Sequence, residues 1–170
     1  MTEQAAPIIV TAQMGAADQA WANDLRRRHF PPERNHLAAH ITLFHHLPPS
    51  LEGEIRRLLA RLTNAPKPAA RISRAYSLGA GVALQVDSPA LLSIRAEMAR
   101  LFEHDLTPQD RHPPRLHITI QNKVTSQIAR RTLGEMEALA WPRPLSIHGL
   151  ACWHYRGGPW SPIAVHAFRR

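Results

Sequence analysis

The sequence predicts an α+β protein built mainly from antiparallel sheets. Three observations carry that expectation. Short runs rich in β-branched residues alternate with stretches whose apolar residues recur at helical spacing. Two glycine-containing turns, Gly79-Ala80-Gly81 and Gly157-Gly158-Pro159, join neighbouring strand candidates as hairpins. No segment is long enough to act as a linker, so residues 1–170 read as a single domain. A chain of this size buries roughly 70% of the surface its unfolded form exposes, enough for a core without disulfides.

Each element has a local reason. Residues 8–12 are short and β-branched and predict a buried strand. Residues 18–29 predict a helix, with Trp21 and Leu25 four apart and Arg26-Arg27-Arg28 in the last turn, where cations face the carbonyl end of the dipole. Pro31-Pro32 ends it. A strand is expected over 39–44. Pro48-Pro49-Ser50 then breaks the chain, and Ser50 is expected to N-cap a helix carrying Leu51, Ile55, Leu58, Leu59 and Leu62. After a loop at 64–68 come strands over 70–78 and 81–86. Ser88 caps the next helix, with Pro89 at its first position, and that helix runs to about 102. Residues 107–114 read as a polar loop and 115–121 as a strand. Thr125 caps a helix to about 139. The last strands are expected over 145–154 and 162–168.

Composition narrows the class. Apolar residues are 44% and charged residues 20%, which excludes disorder. The single cysteine, Cys152, excludes an intrachain disulfide framework and four-cysteine zinc sites, and suits a reducing, cytoplasmic setting. The apolar run at 7–10 is too short for a signal core or a membrane span, so no membrane partner is expected. Lys plus Arg exceeds Asp plus Glu by 21 − 13 = 8, and nearly all the cations are Arg. Such a surface attracts polyanions, and the guanidinium fork matches phosphate; the same charge also serves a merely soluble surface.

The most informative feature is a repeat. His40-Ile41-Thr42-Leu43 and His117-Ile118-Thr119-Ile120 lie 117 − 40 = 77 residues apart. Each sits on a predicted strand, followed by polar residues, a Ser/Thr cap and a helix with an arginine pair, Arg56-Arg57 or Arg130-Arg131. Residues i and i+2 of a strand share a face. Ile41, Leu43, Ile118 and Ile120 therefore point into a core, while His40, Thr42, His117 and Thr119 point into a cleft. An imidazole exchanges protons near neutrality, and a hydroxyl donates to a phosphate oxygen. Two histidines supply a base and an acid, sufficient for metal-free phosphodiester cleavage.

These residues resemble the 2H phosphoesterase superfamily, in its 2′-5′ RNA ligase-like branch with two His-x-Thr-x motifs. The resemblance implies a bilobal, pseudo-two-fold α+β domain around a central groove, with one motif per half, at 40–43 and 117–120. It implies hydrolysis or reversible formation of a cyclic or 2′-5′ phosphodiester of RNA or a small nucleotide. In those terms His40 and His117 are acid and base in an order the sequence leaves open, Thr42 and Thr119 hold the non-bridging oxygens, and no metal or cofactor is needed. Gln121-Asn122-Lys123 follows the second motif, where an arginine-containing run is frequent in the ligase members.

Further contacts are expected around these four residues. Arg115 shares the face of His117, Lys123 follows the motif closely, and both are phosphate-binding candidates. Phe44 continues the face of the first motif and either stacks on a base or caps the core edge. Trp153, Tyr155, Arg156 and Trp160 flank the last turn and form either a substrate rim or a hairpin end. The expected partners are RNA ends or small cyclic nucleotides, bound by a monomer, with loops 64–68 and 107–114 choosing among substrates. Two alternatives stay open. His36, His40, His45 and His46 form a His-dense segment that could serve a metal-dependent hydrolase, and the same fold could be a non-catalytic RNA-binding module.

Overall fold

The computed structural model describes residues 5–170. Two strand–helix–strand–helix–strand units follow one another. The first is β1 (Ile8–Met14), α1 (Ala16–His29), β2 (Ile41–Leu47), α2 (Glu52–Leu62) and β3 (Ala69–Ser77). The second is β4 (Val82–Asp87), α3 (Pro89–Leu101), a short α4 (Pro108–Arg111), β5 (His117–Gln121), α5 (Ser126–Glu137) and β6 (Arg143–His154). A final strand, β7 (Ser161–Ala167), lies against β6.

The sheet order is β2-β1-β6-β3-β4-β5, and every pairing between these strands is antiparallel. The order is palindromic: β2-β1-β6 in one half answers β5-β4-β3 in the other. Each unit therefore lends its third strand to its sibling. The two expected sheets are halves of one hydrogen-bonded system, because β6 serves both. Its first residues, Arg143–Ser146, pair with β3, and the remainder pairs with β1 and β7. β1 owes its central place to composition, since nearly all of Ile8-Ile9-Val10-Thr11-Ala12-Gln13-Met14 is buried.

Local signals explain the ends of most helices. The Ser88 hydroxyl accepts from the Leu91 N–H, with Pro89 at the first helical position. Thr125 caps α5 in the same way. Thr107 caps α4, a helical turn inside the segment expected to be loop. Ser50 does not cap α2. Pro49–Leu51 form a 3-10 turn closed by the Leu51 N–H on the Pro48 carbonyl, which moves the helix start to Glu52. Gly81 is required at the β3–β4 hairpin, because a Cβ there would lie 1.9 Å from the Gln121 carbonyl oxygen.

The core runs through both halves, from Ile41, Leu43, Leu47, Ile55 and Leu59 to Ile72, Leu84, Leu91, Met98 and Ile118. Phe44 belongs to it, which corrects the expectation of a cleft-facing aromatic. Thr42 pairs with Thr11 but Phe44 pairs with Val10, so β2 carries an extra residue at Leu43. The bulge breaks the alternation and turns Phe44 inward, fully buried, with the Arg95 guanidinium 4.2 Å from its ring centroid.

β2 and β5 are the two ends of the sheet order, yet they contact each other, and α1 packs on β5. The sheet thus curls until its edges meet. That curl brings the two motif strands together.

Candidate active site

His40 immediately precedes β2 and His117 opens β5. Both are half-buried, as are Thr42 and Thr119, while Ile41, Leu43, Ile118 and Ile120 are buried. The pleat therefore divides core from cleft as the spacing predicts. The two imidazoles are held alike. His40 Nδ1 lies 2.8 Å from the carbonyl oxygen of Ala38, and His117 Nδ1 lies 2.7 Å from that of Arg115. A carbonyl only accepts, so each Nδ1 carries its proton and donates it, and each Nε2 is left to exchange protons in the cleft.

Each histidine also has an aromatic neighbour set edge-on. Trp160 stands 4.7 Å from His40 between centroids, and Tyr76 stands 6.4 Å from His117. The surroundings otherwise differ. His40 lines a cavity of about 230 Å³ with Gln19, His36, Leu37, Trp153 and Trp160. Trp153 is fixed there by its Nε1–H on the Thr11 hydroxyl, 2.9 Å away. Beside His117 the Arg115 guanidinium lies 3.7 Å from the Tyr76 ring centroid and donates to Gln85 Oε1 at 2.8 Å. One flank is aromatic and the other cationic.

Electrostatics set the histidines apart too. Burial pushes the His40 imidazole down to about 4. The Ala38 carbonyl opposes the shift, while the Arg26 charge and the neighbouring His117 and His45 rings reinforce it. His40 is therefore neutral at pH 7.

Helix α1 supports the approach to the first motif. Gln19 Nε2 donates to the Ala39 carbonyl at 2.8 Å, and the Ala39 N–H donates to Asn23 Oδ1 at 2.8 Å. Gln19, Asn23 and Arg26 share one helix face by their spacing. On the far side of β2, the Asp110 carboxylate accepts from the backbone N–H groups of His45 and His46 and from the His45 ring. His45 and His46 thus serve a clasp that joins α4 to β2. Among the described residues no group of three or more His, Cys, Asp or Glu side chains is placed to hold a metal ion.

The contact of β2 with β5 brings the two motifs near enough for His117 to bear on His40, and Arg115 and His117 share Tyr76 as a neighbour; other candidates lie apart from these. Tyr155 and Arg156 are exposed beyond the end of β6 and do not line the cavity of His40; Trp153, Pro159 and Trp160 do. Lys123 lines a separate cavity with Phe30, Arg34 and His36, and His36 is the wall it shares with the first. Of the two loops expected to select substrate, residues 65–66 lie by Arg169, and Asp110 of the other accepts from the backbone N–H groups of His45 and His46 on β2. The segment that does line the cavity is 36–40. Tyr76, Gln19 and Arg26 were not identified by sequence patterning. Tyr76 follows Arg74 on β3 with no local mark of its role, and only the strand order, with β3 and β5 on either side of β4, puts it beside His117.

The fold is thus an internally duplicated α+β architecture in which each half carries one His-x-Thr-x strand with its histidine Nδ1 bound to the carbonyl two residues before it. Residues 15–159 match the family model described as the 2'-5' RNA ligase superfamily, and the chain belongs to that superfamily. Similar solved structures include a phosphoesterase (TM-score 0.65, 17% identity, 98% of this chain and 100% of that one). E. coli LigT complexed with 3'-AMP is alike to the same degree (TM-score 0.64, 17% identity, 98% and 100%). TT0787 of Thermus thermophilus is a third (TM-score 0.61, 13% identity, 96% and 98%). These likenesses carry the fold. No curated protein matches the chain by sequence. Membership of the superfamily supports a phosphoesterase- or ligase-type activity. No helix among the described residues is long and apolar enough to cross a membrane.

Proposed function

We propose that this chain is a metal-independent phosphoesterase that hydrolyses, or reversibly forms, a cyclic or 2′-5′ phosphodiester of RNA or a small nucleotide. The observation that carries this reading is the matched pair of imidazoles, each with Nδ1–H committed to the carbonyl two residues before it.

In hydrolysis, a water oxygen forms a new bond to phosphorus as the bond to a ribose oxygen breaks. One imidazole Nε2 takes the proton from the water. The other, protonated, delivers its proton to the departing ribose oxygen. His40, neutral at pH 7, suits the first task, and His117 takes the second. Ring formation runs the same steps backward with the roles exchanged, and end joining puts a ribose hydroxyl in the place of the attacking water. Thr42 and Thr119 donate hydrogen bonds to the non-bridging oxygens, and Arg115 offsets the charge that accumulates on them. The aromatic flank at Trp153 and Trp160 receives the nucleoside. The occurrence of 3'-AMP in a LigT crystal structure supports a nucleotide ligand for this fold.

The test is an assay in EDTA with a panel of 2′,3′-cyclic mononucleotides and a short RNA ending in a 2′,3′-cyclic phosphate, following products by phosphorus NMR. Turnover that persists in EDTA and is lost in His40→Ala and in His117→Ala supports the reading. RNA binding with no turnover of any substrate favours a non-catalytic module instead.

A further inference from the structure

Two arginines are almost fully sequestered, and each reaches out of its own half of the fold. Arg26 of α1 is 4% exposed. Its Nη1 donates to the carbonyl oxygen of Thr119 at 2.8 Å, and its Nε donates to Asn35 Oδ1 at 3.0 Å. Arg95 of α3 is likewise 4% exposed. Its Nε donates to the Leu43 carbonyl at 3.1 Å and its Nη2 to the Asp110 carbonyl. The helix of the first unit thus holds the motif strand of the second, and the helix of the second holds the motif strand of the first.

The exchange is not electrically symmetric. Arg95 lies within the field of the Asp110 carboxylate. The polar partners of Arg26, Asn35 and the Thr119 carbonyl, are both neutral, and its remaining neighbour is the Phe30 ring at 4.3 Å. Burying a cation without a counter-ion is expensive. What a guanidinium adds is reach in two directions and a fixed charge.

We propose that Arg26 is a positioning residue of the two-histidine site, tying the segment that leads into His40 to the backbone of Thr119 and so setting how the two motifs face each other. This rests on the reading of His40 and His117 as the reacting pair. Asn35 immediately precedes the segment 36–40 that lines the cavity, and Thr119 is two residues from His117, so one side chain spans the approach to both motifs. The edges β2 and β5 have no ladder of hydrogen bonds between them, and Arg26 is a rigid link across that seam. Its charge has a second effect. The charged or titratable groups that bear on His40 are Arg26 from α1, His117 from β5 and His45 from β2; Trp160 faces it without charge. Arg26 adds to the burial that keeps His40 neutral.

The test compares full-length Arg26→Lys and Arg26→Gln with the wild type. Three quantities are read: thermal unfolding, kcat and KM on 2′,3′-cyclic AMP, and the His40 titration followed by NMR at its ring Cε1–H. Lys keeps the charge but cannot bridge both acceptors. It is expected to lower kcat about tenfold or more, with KM nearly unchanged and His40 titrating as in the wild type. Gln is expected to lower kcat similarly and also to raise the pH at which His40 titrates. Folded Lys and Gln variants with wild-type kcat and wild-type His40 titration would overturn the proposal. So would losses in unfolding temperature, KM and kcat that move together, which is the mark of a merely structural residue. If the Gln variant does not fold, the Lys variant decides. A wild type with no turnover of cyclic AMP counts against the proposed function, and the His40 titration in the variants then decides the role of Arg26 by itself.

Discussion

His117 Nδ1 donates to the carbonyl oxygen of Arg115, two residues before it, at 2.7 Å, and His40 repeats the contact with Ala38 at 2.8 Å. The same short loop of chain thus orients both rings without help from any carboxylate. A ring so held presents one exchangeable nitrogen, and its direction is set by the strand rather than by a neighbouring side chain.

Asparagine keeps a donor near the Nδ1 position and lacks Nε2. His40→Asn and His117→Asn are therefore expected to leave the fold intact and to cut kcat by about 10²–10⁴-fold each. Steady-state kinetics and circular dichroism on the two variants check this. Retention of wild-type turnover in either would remove that histidine from the reaction.

The low His40 value places the acid limb of kcat/KM near pH 4 rather than near the ordinary imidazole value of 6.5. Activity is expected to hold from pH 7 down to about pH 5 and to fall through pH 4. An acid limb centred at 6.5 would mean that His40 is not the group that must be neutral.

The same shift makes stability depend on pH. Between 6.5 and about 4 the unfolded chain protonates His40 while the folded protein does not, so folding is opposed increasingly as pH falls through that window. The contribution is bounded by about 3 kcal/mol and is reduced by solvent around a half-buried ring. His40→Asn should flatten the stability profile between pH 6.5 and 4. Urea unfolding at pH 7.0, 5.5 and 4.5 measures it, and identical slopes in the two proteins would contradict it.

Asp110 acts in the same direction lower down the scale. Its burial alone would raise its carboxyl, but the His45 ring and the backbone N–H groups of His45 and His46 outweigh that and hold it below the usual range. The stability it contributes is present above its unfolded value near 3.8 and is lost as pH falls through the lower folded value. Asp110→Asn is expected to cost about 1.5–3 kcal/mol at pH 7 by urea unfolding, with the gap from wild type narrowing as pH falls below 3.8. A gap that stays constant with pH would show that the carboxylate charge is not what clasps β2.

Trp160 offers a test of the aromatic flank. Trp160→Ala is expected to raise KM for nucleotide substrates about tenfold, the size of a lost base stack, with a smaller effect on kcat. Equal KM values in variant and wild type would show that the nucleoside binds elsewhere.

Much of this protein is decided by local pattern. The β-branched runs, the Ser88 and Thr125 caps and the hairpin at Gly79-Ala80-Gly81 follow from steric and hydrogen-bonding preferences that neighbours in sequence settle alone. The two His-x-Thr-x motifs are legible because a strand has period two, and the four polar positions follow from the four apolar ones that alternate with them. Two local rules failed, one to a distant contact and one to neighbouring prolines. Phe44 leaves the expected face because β2 bulges at Leu43, whose carbonyl Arg95 holds. Ser50 yields to a 3-10 turn set by Pro48 and Pro49.

The sequence by itself thus determined the element order, the duplication and which side chains share a face. Only the tertiary structure decided that β2 and β5, the ends of the sheet order, close on each other. It alone joined Trp160 to His40, Tyr76 to His117 and Arg26 to Thr119. The reason is physical. Periodicity reports how a residue faces its own strand or helix, whereas the meeting of two edges depends on sheet curl and on buried cross-links between residues as far apart in the chain as Arg26 and Thr119. No window of sequence contains both partners.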